Sequence, residues 1–422
     1  MQLRLRPALI SLLLVTAISI LWLFSPRPVT AADYCGRYLA LNERMGFVVN
    51  CDAGTYALPA EFPARLLQSG EIRQSRPLYV LLGTAVGYPL GALARIVAPG
   101  LDPRAPFHVG FALLNLVTLS LSVLLFEALL TAAGAEMLVI VPLALFIAAN
   151  DVTKAFVWTA HQQMFSLFTP LAALFLFQRI AGAPAPPRSR LWLMSLACGF
   201  LPLVYGNFLI VLPTLLLADL IASRRSGPLA AGVLIIRYGP AAAAFLLPTL
   251  AWVALVTWTT GSYYNHEIVV YRQLIWVVDA ARLGVGGFLA QAARNTSAYA
   301  ATFFSLELLP VGAAAILLAV GRARTGRRGA TSRAGESDAT SDRHQQGCLA
   351  VAGCLFVFLW LLGYYRTRLT FSLVPPSLCL AGIELTRLTA SRPLARRRLV
   401  WVLTSLAGVW CAFHVLKYGP FS

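Results

Sequence analysis

A polar segment near the N-terminus holds carboxylates and thiols, side-chain types that can carry chemistry. Asp33 and Asp52 lie there beside Cys35 and Cys51, and the two cysteines are 16 residues apart. A carboxylate within hydrogen-bond reach of a hydroxyl group can remove its proton during nucleophilic attack. In an oxidising compartment the two cysteines could form a disulfide that closes this loop. Solvated loop acids and free thiols are the alternatives, and the sequence leaves both open.

A second polar segment mixes aromatic and ionisable side chains. It contains His266, Glu267 and Arg272 among several tyrosines and a tryptophan, while His161 lies in a third polar stretch. Such a mixture can stack on a sugar ring or shield a site, but an aromatic belt at a membrane interface has the same composition. Neither histidine has a second ligand at a regular spacing. We therefore expect no metal site built from protein ligands.

The composition excludes a soluble enzyme. Of the 422 residues, 58% are hydrophobic and only 12% are charged, and the mean hydropathy is +0.72. Soluble proteins carry about 25% charged residues, so the sequence predicts an all-α polytopic membrane protein. The net charge of +17 would suggest a nucleic-acid partner in a soluble protein. Because basic residues in cytoplasmic loops orient membrane proteins, we expect no nucleic-acid partner here.

Eleven membrane crossings follow from the apolar segments and the basic clusters that mark their inner ends. Helices must form them, because no ten-residue alternating pattern indicates a barrel. Segment 191–222 has basic residues on both sides and should cross twice, turning at Tyr205-Gly206-Asn207. Segment 76–98 then begins and ends outside, so we interpret it as a juxtamembrane or re-entrant helix; the alternative is that it spans and another segment does not. The predicted spans are 8–24, 107–131, 137–150, 163–180, 191–222, 229–258, 301–321, 347–363, 369–386 and 399–416.

This topology divides the chain into five parts. The N-terminus lies inside, and its first span is interpreted as an anchor although it also resembles a signal peptide. The low-complexity stretch 322–346 is expected to be a disordered cytoplasmic loop. The parts are an anchor helix (1–24), a first outer loop with juxtamembrane helices (25–106), core transmembrane helices (107–258), a second outer loop (259–300), and C-terminal transmembrane helices that include this cytoplasmic loop (301–422).

The acidic residues avoid the middle of the predicted spans. Ten of the 17 fall on the outer side, and four lie at inner helix ends beside basic neighbours: Glu127, Glu136, Asp219 and Glu384. An ion-coupled pump usually has an acidic residue at mid-membrane, so this class is disfavoured. We expect the chemistry at the outer surface.

The first outer loop resembles that of GT-C glycosyltransferases, a superfamily that includes aminoarabinose transferases acting on lipid A and bacterial protein mannosyltransferases. The chain departs from the family pattern at Ala53, where a second acid is common. The resemblance covers about residues 1–180 and implies a GT-C-like bundle of about 11 transmembrane helices. It rests on Asp52-x-x-x-Tyr56, a helix-like run ending in Gln68-Ser69-Gly70-Glu71, the basic-Pro-Leu sequence at Arg76, and a late Tyr365-Arg366-x-Arg368 before Pro375-Pro376.

The resemblance also implies roles for individual residues. Asp52 would be the general base, with Asp33 in reserve, and the sugar would be inverted. Arg76 would bind the donor phosphate, with Arg366 and Arg368 as second candidates, because a guanidinium binds phosphate bidentately. Contact with lipid headgroups is the alternative for these arginines. The candidates for substrate binding are Tyr56, Asp151, His161, His266, Glu267 and Arg272, although Asp151 is equally suited to pair with Lys154.

The implied function is transfer of a sugar from a polyprenyl-phosphate donor to a lipid or glycan acceptor, at the outer face of a bacterial cytoplasmic membrane. The donor is a co-substrate, and no cofactor or divalent metal is expected. A flippase or transporter of lipid-linked sugars is the alternative, but it needs a polar path that the predicted spans lack. A polysaccharide polymerase or ligase is a further alternative, because Arg272 and His266 lie in a late outer loop.

Overall fold

The computed structural model describes residues 5–26, 36–224, 231–327, 336–390 and 393–416. Over these ranges the chain is almost entirely helical. The helices are α1 (Leu5–Leu21), α2 (Ala53–Glu61), α3 (Pro77–Val97), α4 (Ala105–Ala132), α5 (Met137–Ala148), α6 (Asp151–Phe156), α7 (Phe165–Ala181), α8 (Arg188–Cys198), α9 (Val211–Arg224), α10 (Ala231–Thr260), α11 (His266–Val269), α12 (Ile275–Arg282), α13 (Gly284–Thr302), α14 (Leu309–Arg327), α15 (Glu336–Leu362), α16 (Thr367–Thr370), α17 (Val374–Thr389) and α18 (Pro393–Leu416).

The apolar helices make this a multi-pass membrane protein. Within the described ranges, nine helices are long and apolar enough to cross a membrane, and two shorter apolar helices accompany them. Residues 191–222 form a pair of helices, α8 and α9, as expected. The pair is antiparallel, because Arg237 of α10 donates hydrogen bonds both to the carbonyl of Pro186 before α8 and to Asp219 near the end of α9.

Helix α3 occupies the segment expected to be juxtamembrane or re-entrant. It packs antiparallel against the first half of α4, where a Cβ atom at Gly83 or Gly87 would come within 2.1 or 2.2 Å of the rings of Phe111 and Phe107. Only glycine allows this approach. With 21 residues and a mean hydropathy of 1.6, α3 has the length and composition of a spanning helix. Helix α3 is therefore one of the nine candidate spans, whereas the sequence predicts a juxtamembrane or re-entrant helix here.

A small antiparallel sheet in the segment after α1 was not expected from the sequence. Its strands are β1 (Ser25–Pro26), β2 (Gly36–Ala40) and β3 (Met45–Asn50), in the order β1-β3-β2. Asn42 closes the β2–β3 turn, since its side-chain oxygen accepts hydrogen bonds from the amides of Arg44 and Met45. Strand β3 ends two residues before Asp52, so the sheet fixes the position of Asp52 at the start of α2.

The segment after α6 is held from inside the helical bundle. Asn115 of α4 is completely buried, and its amide donates hydrogen bonds of 2.8 and 2.6 Å to the carbonyls of Phe156 and Thr159. The Thr159 hydroxyl in turn accepts from the amide of Asn50 at 3.1 Å. These bonds join α4, the segment before His161 and the end of β3.

Residues 322–346, expected to be a disordered loop, are largely helical where the structure describes them. Helix α14 continues to Arg327 and α15 begins at Glu336, whereas 328–335 lie outside the described residues. The start of α15 packs on α17, where Arg387 donates to the Ser341 hydroxyl and to Gln345. These contacts supply the tertiary support that the composition of this stretch does not reveal.

Candidate functional site

A cavity of about 360 Å³ lies at one end of the helical bundle. Six segments that are far apart in the sequence line it, from the start of α2 to the beginning of α16. Its polar lining residues include Asp52, Thr55, Arg73, Arg76, His161, Gln162, Gln163, Tyr205, Asn207, His266, Glu267 and Arg368. The sequence-predicted candidates Asp52, Arg76, His161, His266, Glu267 and Arg368 therefore come together.

Asp52 lies at the start of α2 with an exposed edge and a fixed cation beside it. Its side chain is 40% exposed, and one carboxylate oxygen is 3.5 Å from Nη2 of Arg73, which is itself buried. The Arg73 guanidinium lies 3.9 Å from the centre of the Tyr56 ring and donates to the Tyr56 hydroxyl and to Thr55 Oγ1. Because Arg73 is held at three points, it sets the position of the carboxylate without covering it.

His161 faces the other oxygen of Asp52. Its Nε2 is 3.8 Å from Asp52 Oδ2, and its Nδ1 accepts a hydrogen bond from the amide of Gln163 at 3.0 Å. Since Nδ1 is an acceptor, the ring hydrogen lies on Nε2 and faces the carboxylate. Burial, together with the positive charges of Arg368, Arg73 and Arg76, places the pKa of His161 well below its usual value. His161 is therefore neutral at neutral pH.

Arg76 and Glu267 form a largely buried ion pair across the cavity wall. Their side chains are 13% and 15% exposed, and Arg76 Nη2 lies 2.8 Å from Glu267 Oε1. The Ser75 hydroxyl donates to the second oxygen of Glu267 at 3.0 Å. Burial alone would raise the pKa of Glu267, but Arg76 and these hydrogen bonds lower it below its usual value. The pair fixes the 261–274 loop, which includes α11, over the start of α3.

Arg368 brings a further positive charge to the cavity. Its carbonyl accepts a hydrogen bond of 2.8 Å from the side chain of Gln163, whose amide also approaches the Tyr205 hydroxyl at 3.3 Å. No ion pair of Arg368 occurs among the residues that the structure describes. The same cavity also has an apolar wall, which consists of Leu209, Phe358, Leu362 and Leu369.

Two polar atoms in the cavity lining are buried without a hydrogen-bond partner in the described part of the chain. They are Nε of Arg76 and Oε1 of Gln162. Buried polar groups are normally satisfied, and an orphaned group needs an explanation such as a ligand. Both atoms belong to side chains that line the cavity.

Three other candidates lie away from the cavity lining. Arg366 is exposed and rests over the ring of Tyr364, 5.6 Å from its centre. Arg272 pairs with Asp279 on the surface and has a positive φ of 54°. Asp151 is buried, and one of its oxygens lies 3.0 Å from Nδ1 of His414. The sequence placed all three near the outer surface but could not show which way their side chains point.

The structure describes only one of the two cysteines of the predicted disulfide. Cys51 is disulfide-bonded. Its predicted partner Cys35 lies outside the described residues, as does the reserve base Asp33. Tyr56, expected to bind substrate, is fully buried beneath Arg73, so it supports the site and does not face the cavity.

Four residues of the cavity lining were not predicted as site residues from the sequence: Arg73, Gln163, Tyr205 and Asn207. For Arg73 a signal was present, since it lies three residues before Arg76 in the polar run Glu71-Ile72-Arg73-Gln74-Ser75-Arg76. The sequence places Tyr205 and Asn207 at the turn between two spans and indicates no further role for them. Asn207 donates to the hydroxyl of Ser372 at 3.2 Å, a contact between distant segments that no local pattern indicates.

A group of possible metal ligands lies apart from the cavity. Asp151, Glu307 and His414 are buried, and each offers a ligand atom within 4.8 Å of the others. Lys154 is close by, since its ammonium donates to the carbonyl of His414 at 2.7 Å. A neighbouring ammonium group opposes binding of a divalent cation. The expectation that the chain builds no metal site stays a prediction.

Comparison with known proteins gives a likeness of fold. No family model matches the chain, and no curated protein matches its sequence. A crystal structure of the oligosaccharyltransferase of Archaeoglobus fulgidus, in complex with zinc and sulfate, superposes with a TM-score of 0.52 at 14% identity over 99% of this chain. Structures of the same protein in the apo form and tethered to an acceptor peptide give TM-scores of 0.47 and 0.48. That enzyme is a GT-C glycosyltransferase, so the chain has a GT-C-like fold, and it spans about half the length of the archaeal protein.

Proposed function

We propose that this protein is an inverting glycosyltransferase that takes a sugar from a polyprenyl-phosphate donor and passes it to a hydroxyl group of a lipid or glycan acceptor. The observation that carries the proposal is one cavity that contains an accessible carboxylate, Asp52, and the three arginines Arg73, Arg76 and Arg368. The GT-C-like fold, which is that of an oligosaccharyltransferase, supports glycosyl transfer.

The apolar wall of the cavity supports a lipid-linked donor. A polyprenyl phosphate joins a dianionic or monoanionic headgroup to a long hydrocarbon chain, so its site needs cations next to apolar side chains. Arg368 lines the same cavity as Leu209, Phe358 and Leu362. A free nucleotide-sugar has no hydrocarbon chain to place against this wall.

In the proposed reaction Asp52 takes the proton of the acceptor hydroxyl while its oxygen attacks the anomeric carbon. The new carbon–oxygen bond forms as the bond from that carbon to the phosphate oxygen breaks. Attack opposite the leaving group inverts the configuration at the sugar. The polyprenyl phosphate leaves with the bonding electrons, and the guanidinium groups of Arg368 and Arg76 stabilise its negative charge.

We further propose that the arginines take the part that a divalent cation would play. The Asp52 carboxylate already lies 3.5 Å from the Arg73 guanidinium, and the cavity holds two further arginines. A second positive charge at the carboxylate would be repelled by these groups. Activity is therefore expected to persist in the presence of a chelator.

The orientation in the membrane is part of the proposal. We infer a bacterial cytoplasmic membrane, with the N-terminus inside and the cavity opening outward. Each segment that lines the cavity belongs to a stretch that the distribution of basic residues assigns to the outer side. Lipid-linked sugars at the outer leaflet would then reach Arg368 from the bilayer.

Turnover of a labelled polyprenyl-phosphate sugar by the purified protein tests the function. Replacing Asp52→Asn removes the base but keeps the shape of the side chain, and kcat should fall by about 10²- to 10⁴-fold. Glu43→Gln changes an exposed acid in the same outer segment and should leave kcat unchanged. Full turnover by the Asp52→Asn variant would refute the assignment of the base, and no donor consumption by the wild type would refute the function.

A further inference from the structure

A second cavity, of about 270 Å³, adjoins the first. Thr55 and Ile72 line both cavities, so the two cavities are neighbours that share these side chains. Asp52, Thr55 and Pro59 fall on one face of the α2 segment, because they are three and four residues apart. The second cavity therefore lies beside the first along α2. We call it the α2 groove; Thr55, Leu58 and Pro59 form one wall, and residues 65–72 form the other.

The α2 groove is polar but carries no net charge. Arg65 Nε lies 3.5 Å from Glu71 Oε2, so the two charges compensate each other. Gln68 and Ser69 are exposed and add amide and hydroxyl groups. In the described part of the chain Arg65 Nε has no hydrogen-bond acceptor. A neutral ligand that both donates and accepts hydrogen bonds suits such a lining.

An apolar cavity of about 510 Å³ adjoins the segment 50–54 as well. Leu39, Phe47 and Trp158 line it, together with Val109 and Leu113 on the exposed face of α4. Asp52 lines the first cavity and is absent from the lining of this one. A hydrocarbon chain bound here would be separated from the Asp52 carboxylate by residues 50–54.

From these contacts we propose that the acceptor is a neutral saccharide whose hydroxyl reaches Asp52 through the α2 groove. The inference rests on the proposed glycosyltransferase function and selects the glycan from the two acceptor classes. A saccharide hydroxyl entering past Thr55 meets the exposed edge of Asp52. We place the polyprenyl chain of the donor against the apolar wall near Phe358, which lines the first cavity and not the α2 groove. Donor and acceptor thus approach the base from separate directions.

The test uses the purified full chain in a detergent whose headgroup is not a sugar. The donor is labelled polyprenyl-phosphate mannose or the polyprenyl-phosphate sugar that copurifies. A mixture of neutral mono- and disaccharides is offered as acceptor in one arm, and 1-dodecanol in the other. Hydrolysis of the donor, in which water is the acceptor, is measured in both. Ser69→Trp fills the α2 groove, and Leu113→Trp fills the apolar cavity as the matched control.

The wild type should transfer the sugar to the saccharides in preference to dodecanol. Ser69→Trp should raise KM for the saccharides about 5- to 30-fold, the effect of losing one or two hydrogen bonds of about 1 kcal/mol each. Its donor hydrolysis should match the wild type, which also shows that the variant is folded, and Leu113→Trp should change neither rate. Three results would overturn the groove assignment: preferred transfer to dodecanol, loss of transfer in Leu113→Trp alone, or an unchanged KM for the saccharides in Ser69→Trp. In each of these cases, donor consumption by the wild type still supports the proposed function. Absence of all donor consumption would overturn both.

Discussion

Arg73 and His161 flank the Asp52 carboxylate, and each restricts the position of one of its oxygens. Arg73 Nη2 lies 3.5 Å from Oδ1, and His161 Nε2 lies 3.8 Å from Oδ2. Both neighbours are buried, whereas 40% of the Asp52 side chain stays exposed. The exposed edge is the part that an acceptor hydroxyl can approach. A base held in this way needs little reorganisation when the proton is transferred.

The two late arginines offer a matched comparison, because only one of them lines the cavity. Arg368→Gln removes a positive charge beside the apolar wall, whereas Arg366→Gln removes one that rests over Tyr364 at the surface. KM for the lipid-linked donor should rise about 10- to 150-fold in Arg368→Gln, corresponding to about 1.5–3 kcal/mol for a charged hydrogen bond. Arg366→Gln should match the wild type. Equal effects of the two changes in steady-state kinetics would contradict the assignment of the phosphate site.

His161 should make the protein less stable in acid. Its pKa is about 6.5 in the unfolded chain and, because of burial and three arginines, well below that in the folded protein. Below about pH 6.5 the unfolded state therefore binds a proton that the folded state does not, so stability falls as the pH decreases, by up to about 1.4 kcal/mol per pH unit. His161→Gln should reduce this slope between pH 6.5 and 5. Unfolding titrations with a denaturing detergent at several pH values measure it, and an unchanged slope would contradict the account.

At the scale of elements, the 261–274 loop closes the cavity by contacts with the residues before α3. Besides the Arg76–Glu267 pair, the amide of Tyr264 donates to Gln74 Oε1 at 2.9 Å. The ring of Tyr271 stacks on Tyr364 with the ring centres 4.5 Å apart. The loop is thus attached to two different parts of the site.

Removing the charge of Glu267 tests this attachment. Glu267→Gln leaves the Arg76 guanidinium largely buried without its counter-ion, which costs about 3–5 kcal/mol in comparable pairs. Amide hydrogen exchange in residues 262–274 should therefore become faster. Asp279→Asn breaks the exposed pair with Arg272 nearby in the chain and, at about 0–1 kcal/mol, should have little effect. Slow exchange of the loop in Glu267→Gln would show that other contacts hold it.

The elements differ in how far the sequence could predict them. Long apolar runs such as 107–131 and 163–180 appear as α4 and α7, because in lipid a continuous apolar segment has to satisfy its backbone within a helix. The sheet that leads to Asp52 was missed, since its strands are two to six residues long and carry no clear alternation. Arg73 was missed for a different reason: its importance depends on stacking against Tyr56, a contact set by tertiary structure.

Over the whole molecule, the cavity and the basic clusters lie at opposite ends of the bundle. The cavity is at the C-terminal ends of α10 and α15 and at the N-terminal ends of α9 and α16. At the other ends of these and neighbouring helices, acidic residues assigned to the inner side meet basic partners, in the pairs Asp219–Arg237, Glu136–Arg396 and Glu384–Arg387. The separation agrees with a topology derived only from the positions of basic residues.

Cysteine accessibility tests the orientation that this separation suggests. Asp102→Cys places a thiol between α3 and α4, and Arg188→Cys places one at the start of α8. With the cavity outward, an impermeant maleimide should label Cys at position 102 in intact cells and reach position 188 only after the membrane is opened. The unaltered chain provides the background from its own cysteines. Labelling of the cysteine at position 102 only after the cells are broken would contradict the topology.

The central claim is that one cavity holds the phosphate of a lipid-linked sugar beside the Asp52 carboxylate. A cryo-electron microscopy structure of the full chain with a non-hydrolysable polyprenyl-phosphate sugar bound tests it most directly. The account predicts the phosphate at about 3 Å from the Arg368 guanidinium, the polyprenyl chain along Phe358 and Leu362, and the anomeric carbon facing Asp52. A phosphate bound elsewhere, with Asp52 remote from the sugar, would contradict it.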